Sequence, residues 1–149
     1  MDISQSIGVL LDGVREAYIA DQKAKGIRSS GKSAESLRIE TKPMSGTVYG
    51  AKYFIQQTVG RKPGKFPPLD DIISWIRAKK IKPEGKTTER QLAFLFARKI
   101  AQKGTDIYQG KRQGINIDEQ VKKLNEEFLK NITGQLKTQF GKTLKESLK

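Results

Sequence analysis

The sequence predicts an α+β fold: a small antiparallel β-sheet packed against several α-helices, with a long C-terminal helix. Three observations predict it. Apolar residues recur at three- and four-residue spacing near residues 3–24, 69–81, 89–103 and 118–146, the period of helices with one buried face. Leu37-Arg38-Ile39-Glu40-Thr41-Lys42 alternates apolar or β-branched with charged residues, the period of a strand buried on one side. Thr47-Val48-Tyr49 then resumes extended structure after a turn at Pro43-Met44-Ser45-Gly46, so the strands form a hairpin or small sheet within residues 37–60.

In chain order, Ile3, Ile7, Leu10, Leu11, Val14 and Ala17 or Tyr18 form the stripe of the first helix. Asp2 is placed to cap its start and Gly26 to end it. Ser29-Ser30-Gly31-Lys32-Ser33 is a polar loop by composition. After the hairpin, Gly50-Ala51 marks a bulge or a close backbone approach, and Tyr53-Phe54-Ile55 continues extended. The stretch from Tyr53 to Ile81 is the hinge of the chain. There Gly60-Arg61-Lys62-Pro63-Gly64-Lys65 makes a basic loop, Pro67-Pro68 fixes the approach, and Leu69, Ile72, Ile73 and Ile76 recur as the next helix stripe.

Thr88 with Gln91 three residues on is a capping box for the helix that follows. In it Leu92, Leu95, Phe96 and Ile100 form one stripe, and Ala93, Ala97 and Ala101 form a neighbouring stripe of small residues that permits close packing. Gly104 closes this helix, and residues 105–114 read as an exposed loop. Asp118 is placed to cap the final helix, whose apolar positions are Val121, Leu124, Phe128, Ile132, Leu136, Phe140, Leu144 and Leu148. Gly134 and Gly141 each cost about 1 kcal/mol against alanine, which marks the last turns as a place to bend, fray or order against a partner.

At 149 residues the chain fits one domain, 1–149, with 1–104 as the α+β core and 105–149 as a loop plus helix. Folding at this length buries roughly 70% of the unfolded surface. The sequence has no cysteine and no histidine, which excludes thiolate nucleophiles, disulfides, zinc–thiolate clusters and His-dependent triads. Residues 1–20 lack the pattern of a signal peptide and no long apolar run is present, so a soluble, intracellular product is expected.

Twenty-nine Lys and Arg against 16 Asp and Glu give a formal net charge of +13, which implies a polyanionic neighbour. The basic residues are spread along the chain and not gathered on one recognition helix, which favours phosphate-backbone or acidic-protein contact over base readout. Glu40-Thr41-Lys42 matches the carboxylate-x-lysine half of a metal-dependent nuclease site, but the aspartate such a site needs on a preceding strand is missing. Charges pairing across the hairpin explain it more simply. The Gly60–Lys65 loop lacks the spacing and ending of a phosphate-cradling loop. No catalytic, cofactor-binding or metal residue is therefore expected.

The order of parts carries a resemblance. A small-residue loop, Ser30-Gly31, leads to the pair Leu37-Arg38. Tyr53 stands seven residues before Gly60, Pro67-Pro68 introduces a helix with Trp75-Ile76, and Leu92-Ala93-Phe94-Leu95-Phe96-Ala97-Arg98-Lys99-Ile100-Ala101 follows. Over residues 1–104 this resembles the tail-completion or head–tail connector family of long-tailed bacteriophages, also called neck or minor tail proteins. Thr58 stands where that family has an acidic residue, and its terminal Pro-Phe motif is absent after Gly104. The resemblance implies a structural virion protein, not an enzyme, that forms a homo-oligomeric ring in the neck or upper tail, contacts other neck and tail proteins, and lets the genome pass.

Within it, Arg61, Lys62, Lys65, Phe66 and Trp75 are the expected interface residues, although Trp75 reads equally as the edge of a core. Arg61, Lys62, Lys65, Lys79, Lys80 and Lys82 are the expected contacts to the backbone of genomic DNA. No membrane partner is expected. The competing expectation is a stand-alone basic protein that binds nucleic acid without sequence preference.

Overall fold

A computed structural model describes residues 3–27 and 30–148, so the cap expected of Asp2 lies outside the described residues. The elements are α1 (Ile3–Ala24), α2 (Lys32–Glu35), β1 (Arg38–Lys42), β2 (Ser45–Tyr49), α3 (Phe54–Val59), α4 (Leu69–Ala78), α5 (Glu89–Lys103) and α6 (Asp118–Ser147). The α+β class expected from the sequence is the class the chain adopts. By packing, the chain divides into two compact units. The first comprises Met1–Ala20, Leu37–Tyr49 and Ile117–Lys149, and the second Asp21–Ser36 and Gly50–Asn116.

In the first unit β1 and β2 pair antiparallel, with Ile39 opposite Val48 and Thr41 opposite Gly46. Gly46 belongs to β2 and not, as its composition suggested, to the turn, which is Pro43-Met44. The reason is steric. A Cβ on Gly46 would come within 2.7 Å of Ile7 Cγ2 and press on Leu11, so the hairpin lies against α1 where its backbone is bare. Gly13 plays the same part between helices, its missing Cβ leaving room for Leu124 of α6 at 2.8 Å.

The second unit corrects two expectations. Tyr53-Phe54-Ile55 is not extended: Phe54–Val59 is a short helix, α3, with Phe54 and Gln57 turned inward. The aromatic and β-branched residues favour a strand, but β-propensity yields to packing context. The small polar loop holds a helical turn, α2, introduced by Gly31 in the left-handed region at φ 86°. Its Ser33 is buried and accepts hydrogen bonds from Gln22 of α1, wholly buried, and from Gln57 at 3.3 Å. Residues 105–114 form the loop expected, without helix or strand and largely exposed, and Thr105 ties its start to Arg61, as described below.

Helix ends follow local chemistry. Gly26, at φ 59°, donates its N–H to Lys23 and the next N–H goes to Gln22, the paired bonds that close a helix on a left-handed residue. The same pair of bonds ends α4, from Lys80 to Arg77 and from Ile81 to Ile76, but here the left-handed residue at φ 55° is a lysine. Lys80→Gly removes that conformational cost and stabilises the protein by roughly 1 kcal/mol, measurable as a higher urea midpoint at unchanged slope. At α5 the capping box forms as expected: Thr88 N–H donates to Gln91 Oε1 at 2.8 Å and Gln91 N–H to Thr88 Oγ1 at 3.2 Å. Asp118 is not the cap of α6. Ile117 holds that position and Asp118 lies in the first turn.

Asp21 anchors the end of α1 to the segment before α6. Its carboxylate accepts from Lys25 Nζ at 2.6 Å and from the Asn116 N–H at 2.9 Å, while Lys25 Nζ also donates to the Gly114 carbonyl at 2.9 Å. Burial raises the Asp21 pKa, but the two hydrogen bonds and the Lys25 charge outweigh it and hold the group below its ordinary value. A lowered folded-state pKa gives stability that is present above the unfolded value, 3.8, and lost as pH falls through the folded one. Asp21→Asn is therefore expected to flatten the loss of stability below about pH 4 in acid unfolding curves.

Helix α6 is continuous, yet its cover is uneven. Val121, Leu124, Phe128 and Ile132 are half-buried, whereas Phe140, Leu144 and Leu148 are 66%, 61% and 84% exposed. From Leu124 onward the apolar residues are spaced by four. On a 3.6-residue helix each such step turns the stripe by roughly 40°, so its distal part winds away from the face that the first half buries.

Candidate interaction surface

Charge separates the two units far more than it separates segments of sequence. The second unit carries 19 Lys and Arg against 7 Asp and Glu, a net +12, and the first carries 10 against 9, a net +1. The second unit also exposes Tyr53, Phe66, Trp75, Phe94 and Tyr108, each by at least 37%. Among the described residues, five of the seven exposed aromatic rings therefore lie on the cationic unit, the other two being Tyr49 and Phe140.

The basic loop after α3 is held from below. Arg61 N–H donates to Thr105 Oγ1 and Thr105 N–H returns to the Arg61 carbonyl, each at 2.9 Å, while Gly64 N–H bonds the Ala101 carbonyl at 2.9 Å. Gly60 and Gly104 let the chains meet: a Cβ on Gly104 would lie 2.6 Å from the Arg61 carbonyl oxygen, and one on Gly60 would lie 2.8 Å from Thr105 Oγ1. At both positions φ is positive, so glycine serves for backbone angle as well as for space.

Of the expected interface residues, Arg61 turns its guanidinium onto the Lys65 carbonyl at 2.7 Å and closes its own loop. Lys62 and Lys65 are exposed. Phe66 packs its ring against Phe94 of α5, centroids 5.4 Å apart, and Trp75 stands edge-on to Phe96 at 5.5 Å. Both rings keep part of their surface free: Phe66 is 44% and Trp75 37% exposed.

The expected backbone-contact residues do not gather at one place. Lys65 precedes α4 and Lys79, Lys80 and Lys82 follow it, a separation of about 15 Å of helix. Lys79 is also engaged, donating to the Gly26 carbonyl at 2.7 Å. Glu40 and Lys42 lie exposed on β1, but their cross-strand partners are Thr47 and Ser45, so they do not pair across the hairpin. The cation that uses this sheet face is Arg38, whose guanidinium lies 5.2 Å from the centre of the Tyr49 ring. Among the described residues no group of three acidic side chains is placed to hold a metal ion, and no helix is long and apolar enough to cross a membrane.

The outer face of α5 is not legible in the sequence. Ala93 and Ala97 are wholly buried, as is Ile76 of α4, and α4 and α5 pack together. That places Phe94 and Leu95 outward, 47% and 53% exposed, although Leu95 had been expected in the buried stripe. Arg90, Phe94 and Arg98 follow at four-residue spacing on the exposed side. A shallow groove runs here, lined by Leu69, Lys86, Thr88, Arg90, Phe94 and Leu95, and no carboxylate lines it. Glu89, the nearest acid on α5, is taken up by Arg77 through bonds of 3.0, 3.0 and 2.7 Å. Those bonds, with the Arg77 charge, hold its carboxyl below the ordinary value.

No protein-family model, curated protein or solved structure matches the chain. The reading of this surface therefore rests on its own chemistry: an apolar floor with a ring pair, a rim of lysine and arginine, and a rigid loop beside it. Such a surface suits a partner that brings carboxylates or phosphates together with apolar or planar groups.

Proposed function

We propose that the protein is a non-enzymatic structural subunit that assembles with copies of itself, forming a ring in the neck or upper tail of a long-tailed bacteriophage through which the genome passes. The observation that carries the assembly is the half-exposed Phe66–Phe94 pair within a cationic rim. Aromatic anchors ringed by polar groups are where interface energy concentrates, and the backbone-pinned loop beside them loses little entropy when a neighbour docks. The phage setting is supported by the resemblance over residues 1–104, and the net +12 of the second unit suits a ring whose neighbour is DNA. Recovery of the chain at a fixed copy number from purified particles, in the fraction that holds the neck and tail, is the expected result. Its confinement to the host lysate overturns the proposal.

The same charge and exposed rings favour a second reading, a free nucleic-acid-binding protein. Under it the monomer shifts oligonucleotides, with an affinity that falls steeply with salt as condensed counterions are released. A salt-insensitive complex, or none, removes that reading.

A further inference from the structure

The cationic groove beside α5 calls for a partner face that is apolar and acidic, and this chain carries one. On α1, Gln5, Val9, Asp12, Glu16 and Ala20 are spaced by four, three, four and four residues, and all are exposed. They form one straight outward stripe of the helix. Val9 is 70% exposed, and the Asp12 and Glu16 side chains are 57% and 66% exposed. Arg15 lies 3.1 Å from Asp12 and 3.5 Å from Glu16, but surface pairs of this kind hold about 0–1 kcal/mol and leave both carboxylates free to regroup.

The geometry points to α1 of a second copy as the occupant of the groove. Val9 meets Phe94, Leu95 and Leu69, and Asp12 and Glu16, one and two turns further on, meet Arg90 and Lys86. Charge favours this face over the distal stripe of α6 and over the hairpin turn. The distal stripe of α6 travels with Lys130, Lys137, Lys142 and Lys145 against Glu146 alone, and Met44 follows Lys42 and Pro43 in the hairpin turn. Both bring positive charge to a positive groove, which like-charge repulsion disfavours. The groove belongs to the second unit and the stripe to the first, with no residue in common. Where the groove of one copy takes the α1 of a second and its own α1 enters the groove of a third, the contact is head-to-tail. Contacts of that head-to-tail kind build rings when the rotation closes. The inference rests on the assembly reading and names its two faces.

Charge reversal tests it. Arg90→Glu with Lys86→Glu reverses the groove rim, and Asp12→Lys with Glu16→Lys reverses the stripe. All four positions are exposed, so circular dichroism is expected to match the wild type. By sedimentation velocity the wild type assembles, each variant alone runs as a monomer of 16.7 kDa, and an equimolar mixture of the two variants assembles again. The mixture recovers because the reversed groove fits the reversed stripe while the two unaltered faces still fit each other. A wild type that assembles while the variant with Arg90→Glu and Lys86→Glu also assembles overturns the groove–α1 contact and leaves the assembly reading standing. A wild type that stays monomeric overturns the assembly reading itself.

Discussion

Replacing Phe66 and Phe94 together by alanine abolishes self-association and leaves the helices in place. Each ring is close to half exposed, so truncation removes less internal packing than the loss of a core phenylalanine does. Neither ring is wholly buried, as Ile76, Ala93 and Ala97 are. At an interface the same rings count for more, because the partner desolvates the half that water now covers. An aromatic anchor of this kind contributes about 2 kcal/mol, roughly 30-fold in an association constant. The two rings touch, so their effects do not simply add, and a combined loss of about a hundredfold or more is expected. Sedimentation equilibrium reads the association and far-ultraviolet circular dichroism the fold. Unchanged association by a folded double variant contradicts the surface assigned here.

Gly114→Ala has the largest expected effect on stability. Its added Cβ would overlap the Thr58 carbonyl oxygen and sit 2.7 Å from the Thr58 carbonyl carbon and 3.0 Å from the Gln57 oxygen. All three are backbone atoms, which cannot step aside as a side chain does. Relief requires parting two stretches that Ile115 N–H joins to the Gln57 carbonyl at 2.9 Å, and it loosens the Lys25 bond to the Gly114 carbonyl. Ile115, only 3% exposed, is dragged out of its site as well. The cost is about 3 kcal/mol, at the top of the overpacking range, or roughly 10 °C in melting temperature for a chain of this size. Gly134→Ala is the matched control. Its Cβ meets nothing within 4 Å and it lies inside α6, so helix propensity alone predicts a gain of about 1 kcal/mol. A melting curve in which both changes behave alike contradicts this account of the glycines.

Those two glycines show what a sequence discloses and what it hides. The cost of Gly134 is local and was legible, as were the helical periods of α1, α5 and α6, the Thr88–Gln91 box and the glycine that ends α1. The need for Gly114 was not, because nothing near it in the chain announces that Thr58 will press on its backbone. The same limit explains α3, where Tyr53-Phe54-Ile55 has strand propensity but the inward turn of Phe54 and Gln57 belongs to tertiary packing. On α5 two candidate stripes were visible. Only the pairing with α4 decides that the alanines face in and Phe94 and Leu95 face out. Basic residues look dispersed along the chain, yet the units are built from interleaved segments, and folding collects a net +12 on one of them. The groove rim, Lys86 and Arg90, was hidden for the same reason.

The central claim is that the chain is a subunit of a closed assembly, and native mass measurement of the purified, nucleic-acid-free protein tests it most directly. A single species at a fixed multiple of 16.7 kDa, unchanged over a wide range of concentration, is the predicted result. A monomer of 16.7 kDa across that range contradicts it.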